Sequence, residues 1–509
     1  MENEEKTTSP FIESSENNQL KERENVPCCC SQRWILAYTA FFGFLLVYAL
    51  RVNISVGIVC MVRINDTSVS SSQQNNTDLT CVLETTKKEY DRAEFDWDKD
   101  LRSTILASFF YGYIVTQIPA GWFSDKFGGK RVFGVSMAIS GLATVLLPVC
   151  ARTSVILVYV MRVIVGLGTG TVFPALQSMW GRWAPPLESS KLVSVGYMGT
   201  MFGTTITFAT SGVLCQYGFD NGWGSIFYLT GGLTFIWVIA WFVLTADTPA
   251  EHPRITEAEK NYIESTIEYD THIRSGKAPW KEIIKSRALF ACVVAHMCNN
   301  WQLYTLLTSL PTFMKTVLKF DIKSNGALSA VPYICQAFGA FAGGQVADIL
   351  RSKGILSTTA ARRLFELIAF FGTGGSLVIT GFITCDNRQY AVVCLALAVG
   401  FSGLVRAGHI VNHVDFAPKY AGIMFGITNT FATIPGMIAP IVAGALTPNN
   451  TQEEWRNVFY VCAGFTVFGA IIFGTFVSGE VQDWARDHDD PPKEQQICRA
   501  SSFIVPVPH

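Results

Sequence analysis

About a dozen long apolar stretches follow one another between Trp34 and Val477, each separated from the next by a short polar or glycine-rich break. A helix needs roughly 20 mainly apolar residues to cross a bilayer. The pattern predicts spans near 34–62, 103–122, 132–150, 154–179, 193–215 and 224–245, then 288–310, 325–347, 364–385, 390–413, 419–446 and 457–478. One long polar stretch, Asp247 to Lys285, is rich in Glu and Lys and opens with Pro249 and Pro253, so it divides the run into two sets of six. The expected fold is an all-α membrane protein with twelve transmembrane helices in two six-helix halves. Its parts would be a cytosolic tail 1–33, an N-terminal half 34–245 with a glycosylated loop 63–101, a cytosolic linker 246–286, a C-terminal half 287–478 and a cytosolic tail 479–509. The first 30 residues are polar and acidic, and the apolar run from Trp34 is too long for a signal-peptide core, so no cleavable signal is expected.

Loop charge orients the bundle. Lys126, Lys130 and Arg131, then Arg182 and Lys191, then Arg351, Lys353, Arg362 and Arg363 fall in short loops on one side, which the positive-inside tendency makes cytosolic. Lys315, Lys319 and Lys323 fall on the other side and break the rule. The sequons at Asn65, Asn75 and Asn449 all land on that non-cytosolic side and are expected to be glycosylated, whereas the one at Asn53 lies inside the first span and should stay unmodified.

Composition agrees with a polytopic membrane protein: 49% of the 509 residues are hydrophobic and only 16% charged. A net charge of -1 excludes a polybasic nucleic-acid binder. The 14 cysteines are scattered singly except for Cys28, Cys29 and Cys30, which lack a second ligand cluster for a metal knuckle and read as juxtamembrane palmitoylation sites. His409 and His413 have the spacing of a two-histidine metal site, but no acidic or thiol ligand accompanies them, so a hydrogen-bonded gate is expected and no metal. No Walker motif occurs, and no nucleophile, base and orienting group come together, so no cofactor and no enzyme activity are expected. A gradient would supply the energy.

The ionisable groups inside the predicted spans are almost all cationic: Arg51, Arg162, Arg406, His296, His409 and His413. Asp125, Asp348, Glu366 and Asp415 are placed at span ends. An ionised residue at the bilayer centre costs at least ~2.5 to 3.5 kcal/mol and normally faces a cavity or a ligand. A small anionic substrate is the simplest partner. In the fourth span, Gly166, Gly168 and Gly170 lack the spacing of a phosphate loop and imply close helix packing.

Two motifs correspond between the halves. After the second span comes Gly121-Trp122-Phe123-Ser124-Asp125-Lys126-Phe127-Gly128-Gly129-Lys130-Arg131, and after the eighth comes Gly344-Gln345-Val346-Ala347-Asp348-Ile349-Leu350-Arg351. A glycine that allows close approach, followed by an acid and bases, resembles the signature of the major facilitator superfamily. That resemblance implies a rocking carrier gated by Gly121, Asp125, Arg131, Asp348 and Arg351, with His413 as a further gate residue. Tyr48-Ala49-Leu50-Arg51-Val52-Asn53, Ser108 to Tyr113, Gln117-Ile118-Pro119, Trp183 to Glu188 and Asn429 to Gly436 are similar to the sialin, vesicular glutamate and sodium-phosphate transporter family of organic anion carriers. Coverage runs from about Arg33 to Trp484, and Tyr304 to Thr308 and Asn412 to Asp415 resemble the sialin branch.

By position, the resemblance makes Arg51 the arginine that binds the substrate carboxylate and Arg162 one important for transport. A planar guanidinium grips a carboxylate bidentately, which agrees with the first role. Tyr111, Tyr113, Asn300, Trp301 and Tyr304 are candidates to line the cavity, and Arg406 a second anion contact. The chain departs from the sialin pattern at Val165 and Thr169, where that branch has two glutamates linked to proton coupling, and at Gln177, where it has a histidine. Asn299 replaces an arginine of the vesicular glutamate branch. The coupling ion is therefore open between H+, carried by His296, His409 or His413, and Na+. The expected function is secondary transport of sialic acid or other acidic sugars and amino acids. The alternatives are a sodium-dependent phosphate or organic anion cotransporter, a vesicular acidic amino acid transporter or, in another class, a non-transporting receptor. A multi-pass membrane location, lysosomal or vesicular or at the plasma membrane, is expected; Pro10-Phe11-Ile12 stands where sialin has a sorting dileucine.

Overall fold

The computed structural model describes residues 31–63, 93–274 and 278–486. Cys28 to Cys30, the segment Pro10 to Ile12, and the sequons at Asn65 and Asn75 lie outside the described residues. The first set of helices is α1 (Gln32–Met61), α2 (Lys99–Phe127), α3 (Gly129–Thr153), α4 (Val155–Gly170), α5 (Val172–Trp183), α6 (Pro186–Tyr217) and α7 (Trp223–Leu244). Two linker helices follow, α8 (Glu257–Arg274) and α9 (Trp280–Lys285). The second set is α10 (Arg287–Thr316), α11 (Ile322–Ser352), α12 (Thr358–Thr380), α13 (Arg388–Ser402), α14 (His409–Phe416), α15 (Ala421–Leu446) and α16 (Gln452–Phe476).

With α4 and α5 forming one path and α13 and α14 another, twelve paths run through the bundle, six on each side of the linker. Both breaks fall inside spans that the sequence reads as continuous. The fourth breaks at Thr171, after the Gly166 to Gly170 run, and the tenth at 403–408, where a 3-10 turn over Gly403–Arg406 replaces the α-helix. Nine paths among the described residues are long and apolar enough to cross a membrane. The other three, α2, α10 and α11, are about as long, at 29, 30 and 31 residues, but more polar, and all three lie at the seam between the two sets.

Helix starts follow local chemistry. Side chains of Asp98, Ser286, Asp321 and Ser357 accept the orphan N–H groups of α2, α10, α11 and α12. Thr451 and Glu454 form a capping box on α16. Gly128, at φ 89°, turns the chain between α2 and α3. The close packing expected of the fourth-span glycines is present: a Cβ at Gly166 would lie 2.0 Å from the Phe109 carbonyl oxygen, and one at Gly112 would lie 2.1 Å from that of Val163.

The two sets meet along α2 against α15, α6 against α11 and α1 against α10. The end of this seam that carries Asn449 is here called outer, and the end that carries Lys130 and Arg351 inner. At the outer end Cys60 of α1 is disulfide-bonded to Cys215 of α6, with Cα atoms 6.2 Å apart.

Candidate functional site

The outer end of the seam is closed. Gly212 of α6 faces Gly326 of α11 so closely that a Cβ on Gly326 would lie 2.6 Å from the Gly212 Cα. Three cations join the sets there. Lys99 Nζ donates to the Thr447 carbonyl and to Asn450 Oδ1, Lys315 Nζ donates to the Val59 carbonyl at 3.3 Å, and Lys323 lies 5.6 Å above the Tyr217 ring. Lys315 and Lys323, which break the positive-inside rule, are therefore contacts across the closed seam. Asn449 is exposed beside them, its Nδ2 donating to Glu454 Oε1 at 2.8 Å. Midway along the seam Gln117 Nε2 donates to Thr433 Oγ1 at 2.9 Å, and Asn429 Nδ2 donates to Gln117 Oε1 at 3.0 Å, so two of the family-like segments meet.

Inward of Gln117 the seam opens into a crevice of about 570 Å3 lined by Gly121, Phe173, Gln177, Tyr197, Trp280, Phe425 and Asn429, among others. Here the glycine motif behaves differently from expectation. Among the described residues, no atom beyond the helix's own turn lies within 4 Å of a Cβ built on Gly121 or Gly344, because the halves are apart at this end and the close approach these residues permit is not made. Each half keeps its charges to itself. Arg362 grips Asp415 through Nε and Nη2 at 2.6 and 3.2 Å, Arg351 lies 4.0 Å from Asp415 and 3.8 Å from Asp348, and Arg131 is exposed. For Asp125 only the helical backbone is described. In the first half, Asp247 accepts the Lys130 N–H at 2.7 Å, and buried Arg33 joins Glu188 of α6 to Glu259 of α8, tying the linker to that half. Each of these ion pairs lies within one half or between it and the linker.

At the centre, Arg51 is buried in a cage of rings, with its guanidinium carbon 4.8, 4.9, 5.9 and 4.5 Å from the centroids of Tyr48, Phe109, Phe110 and Tyr113. Tyr304 of α10 closes the cage, edge-on to Phe110 at 4.6 Å. Cation–π contact offsets part of the desolvation of a buried guanidinium, yet Arg51 Nε and Nη2 have no hydrogen-bond partner among the described residues. Arg162 lies behind it and donates to the Leu50 and Arg51 carbonyls at 3.1 and 3.2 Å, so it braces the α1 backbone rather than facing the crevice. The cavity beside both arginines, about 10 Å3, holds about one water and no anion. Arg406 differs. It sits in the 3-10 break of the tenth path, is exposed, and reaches electrostatically to Tyr48 and Tyr197 of the opposite half, which places it over the open crevice.

The remaining candidates divide. Tyr113 and Tyr304 belong to the cage, and Asn300 donates to the Ala432 carbonyl at 2.9 Å, joining α10 to α15. Tyr111 is 43% exposed on the face of α2 that carries exposed Val115, turned away from Gln117, so it faces outward and not the cavity. Trp301 stacks on Phe465 of α16 with centroids 4.0 Å apart and is packing within the second half. The period of α2 predicts the outward turn of Tyr111, because 111 and 117 lie about 120° apart at 100° per residue.

The second half corrects the expectation of an interior without acids. Glu366 lies inside α12, not at a span end, and it and His409 are both 0% exposed. Glu366 Oε1 is 2.8 Å from His409 Nδ1, and Oε2 accepts the His409 backbone N–H at 2.9 Å. His413 is a buried member of the same cluster rather than a residue of the open gate: its Nε2 is 3.1 Å from Thr428 Oγ1, which is 3.3 Å from His296 Nδ1. Arg33, Glu366 and Lys315 were not among the site residues singled out from the sequence. The sequence signal available for Glu366 was its register in a helix that continues from Ser357.

Two six-path bundles closed at one end and parted at the other, with a buried arginine between them, define a carrier that works by alternating access. The sequence model of the Major Facilitator Superfamily matches residues 37–439 and 353–503. Sialin of Homo sapiens is 45% identical over 471 residues, covering 91% of this chain and 93% of its own, and vesicular glutamate transporter 1 of Xenopus tropicalis is 37% identical over 495 residues, covering 95% and 82%. A bacterial homolog of the human lysosomal transporter Spinster, solved in an inward-facing unoccupied conformation, superposes with a TM-score of 0.66 at 12% identity, covering 90% of this chain and all of that one. The E. coli xylose transporter in a partially occluded inward-open conformation gives 0.60 at 13%, covering 88% and 100%. The chain belongs to the Major Facilitator Superfamily, among the sialin-like carriers, and is a multi-pass secondary transporter rather than an enzyme.

Proposed function

We propose that this transporter moves a carboxylate-bearing organic anion, sialic acid or a related acidic sugar or amino acid, across a lysosomal or vesicular membrane in exchange for the energy of a proton gradient. The observation that carries the reading is Arg51, a buried guanidinium whose Nε and Nη2 are unpartnered among the described residues. Those two donors have the fork geometry that a carboxylate accepts. Arg406 presents a second cation to the inner crevice, whose volume suits a ligand of sugar-acid size. In this reading the anion meets Arg406 from the inner side, and the Arg51 cage opens to it as the halves rock. The names of the relatives, sialin and vesicular glutamate transporter, support an acid.

The test is uptake into proteoliposomes of labelled sialate, glutamate and phosphate under an imposed proton gradient and, separately, a sodium gradient. Saturable sialate uptake driven by the proton gradient is expected. Arg51→Ala should lower it by about 100-fold or more, as loss of a buried charge-assisted contact of a few kcal/mol implies, while the protein still reaches the membrane. Sodium-driven phosphate uptake would move the chain to the phosphate carriers. Uptake of a neutral sugar and none of the anions, or full activity of Arg51→Ala, overturns the reading.

A further inference from the structure

The first half offers no acid in the fourth path, where Val165 and Thr169 are both fully buried. The second half holds a carboxylate that anion binding does not use. Glu366 touches the broken tenth path at its restart. Its Oε2 caps the first N–H of α14 and packs against Gly408, where a Cβ would lie 2.0 Å from that oxygen. Its Oε1 takes the His409 Nδ1–H, which leaves His409 Nε2 as a bare lone pair, and this atom is buried without a partner among the described residues.

We propose that Glu366 and His409, backed by His296, form the proton-binding site that energises transport, in the second half rather than in the fourth path. The inference rests on the anion-transport reading and supplies its missing coupling group. A proton arriving from the inner side adds to His409 Nε2 while Nδ1–H stays on Glu366. The pair passes from one net negative charge to an imidazolium–carboxylate of no net charge, and nothing else changes hands. A buried pair of no net charge costs less to enclose than a lone buried carboxylate. Proton uptake therefore favours closing the inner crevice over the cluster, and proton loss favours reopening it.

The surroundings support a route and a readout. Phe425, a crevice wall, lies 6.0 Å from the His296 ring and 5.9 Å from that of His413, and separates the cluster from the opening. His413, Thr428 and His296 make a hydrogen-bonded chain, and the His296 ring is 5.2 Å from His409. The other charged or titratable groups facing the pair are Cys292 and Cys298 of α10, Arg362 of α12, Arg351 of α11, and Arg406 and Asp415 of the tenth path. Arg362 is committed to Asp415, while α15 and α16 contribute Thr428 and Phe473. Arg406 is three residues before His409, inside the break that Glu366 caps, so the state of the pair is mechanically linked to the cation over the crevice.

The experiment compares two modes in the same proteoliposomes, using whichever of labelled sialate, glutamate or phosphate the wild type exchanges: counterflow at equal pH, and concentrative uptake driven by a pH gradient. Glu366→Gln and His409→Gln are expected to retain measurable counterflow, because glutamine can still cap His409 N–H or fill the site, while gradient-driven uptake falls at least about fivefold. A wild-type gradient response preserved in both variants overturns the site. Loss of counterflow together with gradient-driven uptake in both variants marks the pair as a structural strut and also overturns it. A wild type that exchanges none of the three anions defeats the anion-transport reading instead, a different result from either.

Discussion

The outer and inner ends of the seam are built from the same kind of residue and are in opposite states. At the outer end, small residues are in use: Gly212 against Gly326, and Gly444, where a Cβ would lie 1.9 Å from Ser103 Oγ. At the inner end Gly121, Gly344, Gly422 and Gly426 have no described neighbour beyond their own helix turn within 4 Å of an added Cβ. Glycines at a helix crossing let backbones approach and gain packing without any hydrophobic drive. Those at the inner end make sense as the contacts of the other state, in which this end closes and the outer end parts. The ends also differ in what replaces water: cations on carbonyls and rings across the outer seam, and separate charge networks within each half at the inner one.

The largest effect is expected from wedging the closed end. Gly212→Leu inserts a side chain where the Gly326 Cα already lies 2.8 Å from a Cβ. Overpacking of this kind costs about 1 to 3 kcal/mol or more, enough to shift the balance toward the outer-open state by about fivefold to 150-fold. Transport should fall accordingly. A cysteine placed at Ser309, buried at the outer end, should become reactive toward a membrane-impermeant thiol reagent added outside. Unchanged labelling would mean that the crossing is not the outer gate.

Gly121→Leu should do the opposite at lower cost. With open space around that Cβ, the inner-open state keeps its stability, but inner closure meets the new side chain. We expect a thermal midpoint within about 1 °C of wild type, transport reduced about fivefold, and outer labelling at Ser309 below wild type. If both glycine variants shift labelling in the same direction, the two ends are not alternating.

Much of this architecture was legible in the sequence, because apolar run length and loop charge are local properties. The twelve paths and the linker follow from them, and the paired motifs from residue spacing. Relations set by tertiary packing were not legible. Trp301 and Tyr304 sit three apart on α10, yet one packs into α16 and the other joins the cage, a choice made by the neighbouring helix. Glu366 reads as a span-end acid when hydropathy alone sets the boundary at 364. A helix that starts instead at the Ser357 cap puts it two turns inside, opposite a histidine 43 residues away. The break at 403–408 was hidden for the same reason: glycines such as Gly403 and Gly408 are common inside membrane helices, and the carboxylate that packs against Gly408 comes from another helix.

The smallest effect concerns the outer end alone and asks whether it tolerates an acidic compartment. Glu94, in the segment before α2, accepts from Arg152 Nε and Nη2 at 2.8 Å each, from Asn221 Nδ2 at 2.5 Å and from Trp223 Nε1 at 3.2 Å. These contacts, Arg152 foremost, hold its carboxyl below the usual carboxylate range. A depressed folded value means the stabilisation is present above the unfolded value, near ~4.3, and is lost only as pH falls through the folded one. The latch should therefore be fully in place above the unfolded value and be lost progressively as pH falls from there through the folded one. Because Glu94 and Arg152 are 23% and 34% exposed, solvent limits its worth to about 1 kcal/mol. Glu94→Gln should accordingly lower the thermal midpoint at pH 7 by no more than about 2 °C, and the wild type should converge on the variant as pH drops below about 4. A variant that differs from wild type only at pH 4 and below would reverse the sign and remove Glu94 from the set of groups that hold the outer end together in acid.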